Sequence, residues 1–142
     1  MTCGGTASGM LAYVGSSTGN STYQHGLVIA LSDANSTYAN WSTQIGRCNS
    51  YSTARPSASS SWAMPSKAQW EQMIAASSYA NLRDMKGNQS SACGGTAMSS
   101  GTAYWSSTVY SGSSYWYVLL INGGWGTNDA YARNGARAVF AF

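Results

Sequence analysis

Charge is what this chain has least of. Seven Lys or Arg and four Asp or Glu make up 8% of its 142 residues, against about 25% in an ordinary soluble domain. Solubility must therefore rest on Ser, Thr, Asn, Gln and Gly, which points to a cell-surface, extracellular or phage-virion setting. The cations Arg47, Arg55, Lys67, Arg83, Lys86, Arg133 and Arg137 are scattered and form no basic stripe. Phosphate binding needs clustered cations, so no nucleic-acid partner is expected. Cysteine is also scarce: Cys3, Cys48 and Cys93 allow at most one internal disulfide and leave one thiol over. The absence of a CxxC pair removes the zinc-ribbon reading. No apolar run approaches the roughly 18 residues of a membrane span, so no membrane insertion is expected. The polar, glycine-rich start carries no signal peptide, so export would use a signal upstream of Met1 or a route such as a phage particle.

Catalytic chemistry is equally thin. The one histidine, His25, precedes an apolar run and reads as structural. A catalytic role would need an orienting partner and a nucleophile. The four acids, Asp33, Glu71, Asp84 and Asp129, are dispersed, and nothing pairs two of them across a substrate bond. Calcium needs several clustered oxygens, whereas 126–130 offers only Asn128 and Asp129. No Walker loop or dinucleotide fingerprint is present. The expectation is a chain with no catalytic residues, no metal and no cofactor.

What is present is an ordered series of elements. The length fits one domain over 1–142. "GMLAYVG" at 9–15 reads as a short strand. The run Leu27–Leu31 reads as a buried strand. Tyr38, Trp41 and Ile45 are spaced for a helix over 36–46. "WAMPSKAQWEQMIAAS" at 62–77 is the clearest helical signal. Ser66 and Gln69 form a capping box there, and Trp70, Met73 and Ile74 share an apolar face. Residues 85–103 are loop-like, and "AYWSSTVY" opens a strand-rich final third. "YWYVLLI" at 115–121 reads as a strand and Asn122-Gly123 as a hairpin turn. "NGGWGTNDA" is turn-rich, and "ARAVFAF" is the last strand. Strands, then helices, then strands give an α+β class with mixed or antiparallel pairing.

Residues 104–142 hold five of the ten tyrosines and three of the six tryptophans. They are mixed with Ser, Gly and Asn, the composition of antibody binding loops. Alternation along 115–121 sends Trp116, Val118 and Leu120 to one face and Tyr115, Tyr117, Leu119 and Ile121 to the other. The Trp116 set is the one expected in the core.

"HGLVIALSDA", "WAMPSKAQW", "YWSSTVY", "WYV", "NGG" and a terminal "RAVFAF" occur in that order. From Gly9 to Phe142 the chain resembles the domains related to the Fibrobacter major paralogous domain. More closely, it resembles the variable proteins of diversity-generating retroelements. The resemblance implies a C-type lectin fold with two helices packed on mixed or antiparallel sheets. It also implies a variable region at about 104–142 that adenine mutagenesis diversifies. Fixed scaffold would be Tyr104, Trp105, Ser106, Ser107, Trp116, Val118, Gly123, Arg137, Val139 and Phe142. Ligand-contacting, variable positions would be Tyr110, Gly112, Ser114, Tyr115, Tyr117, Leu119, Gly124, Gly126, Asn128, Asp129, Tyr131, Arg133 and Asn134, with Trp125 a fixed neighbour among them. The implied function is non-enzymatic recognition of a protein or glycan on a cell or phage surface. A static cell-surface adhesin of the same fold is the alternative. "WGTND" departs from the calcium-ligand pattern of lectins, and Cys93 precedes "YWSS". Neither calcium-dependent sugar binding nor formylglycine-generating activity carries over.

Overall fold

In a computed structural model the described residues are 7–86 and 93–142. Two three-stranded antiparallel sheets and three helices make an α+β domain. The first sheet has the order β1 (Gly9–Val14), β2 (Gly26–Ala30), β6 (Val139–Ala141). The second runs β3 (Ala103–Ser111), β4 (Ser114–Leu119), β5 (Gly124–Asp129). Between them in sequence lie α1 (Trp41–Asn49), α2 (Lys67–Ser77) and α3 (Tyr79–Arg83). Among the described residues no helix is long and apolar enough to cross a membrane.

The continuous apolar run at 27–31 has a structural cause. Leu27 and Ile29 enter one core cluster and Ala30 a second, with Val28 packed against that second cluster. The strand is thus covered on both faces, which removes the polar half of the usual alternation. The last strand does the same, with Val139 and Ala141 in the first cluster and Ala138 and Phe140 in the second. Trp70, Met73, Leu82, Tyr104 and Val118 complete much of the first cluster. Trp62, Met64, Trp105 and Cys48 build the second.

Helix α2 starts as its sequence predicts. The Ser66 hydroxyl accepts from the Gln69 backbone N–H, and the Gln69 side chain accepts from the Ser66 N–H. The helix therefore begins at Lys67, the residue after the expected cap, within the 62–77 signal. Residues 62–64 are extended, and Ala63 bridges Val139. The first helix also begins later than the Tyr38-Trp41-Ile45 spacing predicts. Asn40 caps it by accepting from Thr43 N, while an Asn35 side-chain turn holds Thr37 outside it. Tyr38 is consequently an exposed loop residue. Helix α3 has no counterpart in the sequence reading; it follows Ser78, whose φ of 67° breaks α2.

The turn-rich reading of 122–130 is corrected. Leu120–Gly123 turns, with Gly123 at φ 72° and Asn122 Oδ1 accepting from Gly124 N, and the chain turns again at Ala130. Gly124–Asp129 is β5, and its two glycines are strand residues because β4 supplies the partner register. Of the expected loop 85–103, residues 87–92 lie outside the described residues, and 93–102 are irregular.

The C-terminal segment stitches the sheets together. Gly135 pairs with β3 through Trp105 N→Gly135 O at 3.0 Å and Gly135 N→Ala103 O at 2.9 Å. Ala136 O then accepts from Ala34, and Ala138 O accepts from Ala30 in β2, both at 2.9 Å. Beside this seam Arg137 is 1% exposed, and its Nε donates to Asp33 Oδ1 at 2.9 Å. Asp33 Oδ2 accepts the Tyr104 hydroxyl at 3.0 Å.

Candidate functional site

The site is assembled on the β4–β5 hairpin. Cross-strand register pairs Tyr115 with Asn128, Tyr117 with Gly126 and Leu119 with Gly124. Directly paired residues share a face of the sheet. Six of the fourteen sequence-derived positions therefore converge on one patch, and all six are half-buried. Their face is the one opposite fully buried Val118. The small residues on β5 leave room for the rings of β4. A Cβ at Gly126 would run into the Tyr117 ring, so Tyr117 lies over that glycine.

Trp41, the first residue of α1, closes one side. Its ring stacks on Tyr115 with centroids 3.8 Å apart and planes 17° apart. Its indole N–H donates to Ser106 O at 2.9 Å, and its backbone N–H to Ala130 O at 3.0 Å. The Ser106 carbonyl is free because β3 is irregular between Trp105 and Val109. That irregularity serves several contacts at once: Trp70 Nε1 reaches Trp105 O, Ser107 N reaches Pro65 O, and Lys67 N reaches Thr108 Oγ1. A bulge in "WSST" thus latches both main helices to the sheet that carries the site. The sequence marked Trp41 as helical but gave no sign that it meets Tyr115.

The other eight positions disperse. Gly112, at φ 52°, is in the β3–β4 turn, and Ser114 pairs with Asp129 at the same end. Asp129 accepts from Tyr131 N at 2.9 Å and from Ser113 Oγ at 3.3 Å. Tyr131 is 83% exposed. Arg133 is exposed, and its guanidinium donates to Tyr38 O at 3.0 and 3.3 Å. Asn134 is buried and presents no surface. Its backbone carbonyl accepts from Gln44 Nε2 at 2.8 Å, while its own Nδ2 has no partner among the described residues. Tyr110 and Trp125 belong to the reverse face, where Tyr110 meets Trp116 and Trp116 meets Trp125.

Trp116 corrects the core expectation for its set. Val118 and Leu120 are fully buried, but Trp116 is half-buried near the outer end of the strand. Neither core cluster includes it. Among residues named as scaffold, Tyr104, Trp105, Ser106, Val118, Arg137 and Val139 are all buried.

Ionisable groups have structural partners. Asp33 holds Arg137 and Tyr104, Glu71 pairs with Lys67, and Asp84 with Arg83 and Lys86. The Arg83 hydrogen bond holds the Asp84 carboxyl below its usual range and, reciprocally, raises Arg83. Burial first, and the nearby Asp33 charge second, push the Tyr104 hydroxyl well up. The same two causes push the Cys48 thiol up to about 12. Cys48 is a free buried thiol, whereas Cys93 is disulfide-bonded. His25 is exposed and does not sit inside the strand it precedes. A G-x-S-x-G spacing does occur at Gly15–Gly19, but it links two antiparallel strands. The nucleophile elbow needs a strand-to-helix turn. Among the described residues no group of three or more His, Cys, Asp or Glu converges to hold a metal.

No protein-family model matches the chain, and a search of curated proteins returns no match.

Proposed function

We propose that this chain is a non-enzymatic recognition module on a C-type lectin fold, with a C-terminal surface diversified by a retroelement through adenine mutagenesis. The observation that carries the reading is the β4–β5 register. It gathers Tyr115, Tyr117, Leu119, Gly124, Gly126 and Asn128 on one face. Rigid rings alternate there with small and amide side chains, a combination that supplies contact area at low entropic cost. Trp41 extends the aromatic area, and the loop bearing Tyr131 and Arg133 follows β5 directly. The partner is a protein or glycan on a cell or phage surface.

Two experiments test this. Inspection of the flanking DNA is expected to find a reverse transcriptase gene and a near-copy repeat that differs at adenines within the codons for about 104–142. Finding neither removes diversification and leaves a static adhesin, whose sister genes would differ throughout. Glycan and protein arrays probed with the chain are expected to give signals that Tyr115→Ala/Tyr117→Ala abolishes. Signals unchanged in that variant would remove this face as the binding surface.

A further inference from the structure

The reverse face of the same hairpin holds a second arrangement. Trp116 and Trp125 stand at 87° to one another with ring centroids 6.4 Å apart. The Lys67 ammonium occupies the corner between them, 5.1 Å from the Trp116 centroid and 4.7 Å from the Trp125 centroid. Tyr110 stands against Trp116 at 84°, with centroids 5.1 Å apart, and is 56% exposed. Glu71, one helical turn along α2, pairs with the same ammonium.

Two perpendicular indole faces sharing one cation make a cation–π corner. Its geometry is fixed from behind. The strand pairing of Val118 with Trp125 and of Trp116 with Thr127 places both indoles on one side of the sheet. Lys67 is tethered at the first residue of α2, where its backbone N–H donates to Thr108 Oγ1 at 2.9 Å. Its side chain is 26% exposed. Ordering a lysine side chain costs entropy, and its ammonium gives up strong hydration on entering the corner. Vacating the corner requires Lys67 to rotate its side chain and give up the Glu71 pair, while its backbone stays tethered at Thr108.

We propose that the Trp116–Trp125 corner is a binding site for a quaternary ammonium group, with Lys67 as the resident occupant that the ligand displaces. A trimethylammonium head is weakly hydrated and broad enough to touch both ring faces, which is how aromatic cages select it over a primary ammonium. Glu71, released from Lys67, then faces the ligand's charge. This site lies on the opposite side of the hairpin from the Tyr115–Tyr117 patch and does not depend on it.

The test is saturation-transfer NMR on the methyl protons of choline, with its neutral isostere 3,3-dimethylbutan-1-ol as control. Choline is expected to receive transfer from the wild-type chain and the isostere none. Lys67→Ala and Lys67→Met remove the occupant, and each is expected to tighten choline binding about two- to five-fold, the worth of an exposed cation–π contact. Met keeps the apolar stem should Ala disturb the start of the helix. Trp125→Leu, with a native circular dichroism spectrum, is expected to abolish transfer. Absence of transfer to choline in the wild type and both Lys67 variants, or equal transfer to the isostere, overturns the proposal. Sedimentation with phosphatidylcholine vesicles separates two sources of the same head group. Co-sedimentation of a choline-binding chain assigns a lipid-borne head group, and choline binding without it assigns a free one; both uphold the site.

Discussion

Replacing Asp33 with Ala is expected to cost about 3 kcal/mol of stability. Arg137 is the reason. Its side chain is 1% exposed, whereas Asp33 is 26% exposed. Removing one partner of a buried ion pair costs about 3–5 kcal/mol, because the survivor is left charged and out of water. The partial exposure of Asp33 places this pair at the low end. After the change Arg137 keeps Thr96 O at 2.7 Å and a weak contact to Leu31 O at 3.5 Å. The Tyr104 hydroxyl loses its acceptor but still receives Ser99 N at 3.0 Å. The reverse change, Arg137→Met, should cost less, about 2 kcal/mol, because a quarter-exposed carboxylate can recover water. The double variant should lose about 2 kcal/mol less than the sum of the two single losses. Urea titrations followed by tryptophan fluorescence measure all four corners of the cycle, and thermal melts should show Asp33→Ala lowered by roughly 10 °C. A loss below about 1 kcal/mol for Asp33→Ala, or additive single effects, would refute the assignment of this pair as the clamp on the C-terminal seam.

Three further outcomes are expected. Trp41→Phe keeps the ring on Tyr115 but loses the bond to Ser106 O, about 1 kcal/mol; Trp41→Ala loses both, about 2–3 kcal/mol because the ring is only half-buried. Equal urea midpoints for the two variants would disprove the indole–carbonyl contact. Gly126→Ala pushes the Tyr117 ring aside at about 1 kcal/mol, and the cost should vanish in a Tyr117→Ala background. For Cys48 the folded thiol value is about 12 against a reference of 9.0, so above pH 9 the unfolded chain loses a proton that the folded chain keeps. Stability is fully retained below pH 9 and falls as pH rises between the two values, by about 1 kcal/mol from pH 8 to pH 10. Cys48→Ala should lack that part of the loss, and an equal drop in both proteins would contradict it.

Local chemistry was legible in the sequence where it was self-contained. The Ser66–Gln69 capping box needs only four residues, and it formed as read. The apolar run at 27–31 signalled two-sided burial, and two core clusters cover it. Elements defined by distant partners were harder. Gly124–Asp129 looks like a turn by composition and becomes a strand because β4 pairs with every residue of it. The first helix shifted because Asn40, a capping residue, outweighed the apolar spacing that began at Tyr38. The alternation gave the two faces of the hairpin correctly over 115–119, since Val118 and Tyr117 pack in different clusters, but the strand ends at Leu119 and Leu120 and Ile121 lie in the turn. That pattern did not say that Trp116 stays outside both core clusters, or that Lys67 at the start of α2, about fifty residues away in sequence, would cover it. The Tyr115–Trp41 stack is likewise a contact between separate elements that no short-range pattern encodes.

The register also limits how the candidate face could vary. Each β4 position on it meets one β5 position: Tyr115 with Asn128, Tyr117 with Gly126, Leu119 with Gly124. Two of the three pairs set a large side chain against glycine. At Gly126 the absence of a Cβ is what lets the Tyr117 ring lie down. A larger residue at 126 therefore requires a smaller or differently aimed residue at 117, since close-packed contacts do not absorb an added carbon freely. Diversification here would not be a free choice at each codon. If the face varies among sister genes, side-chain volume at 117 and 126 should be anticorrelated, and sequencing of those genes measures this directly. Positions 131 and 133, which are exposed and unpaired by any strand, should vary without such coupling. Uncoupled variation at 117 and 126 would mean that the hairpin is not held in this register in the diversified proteins.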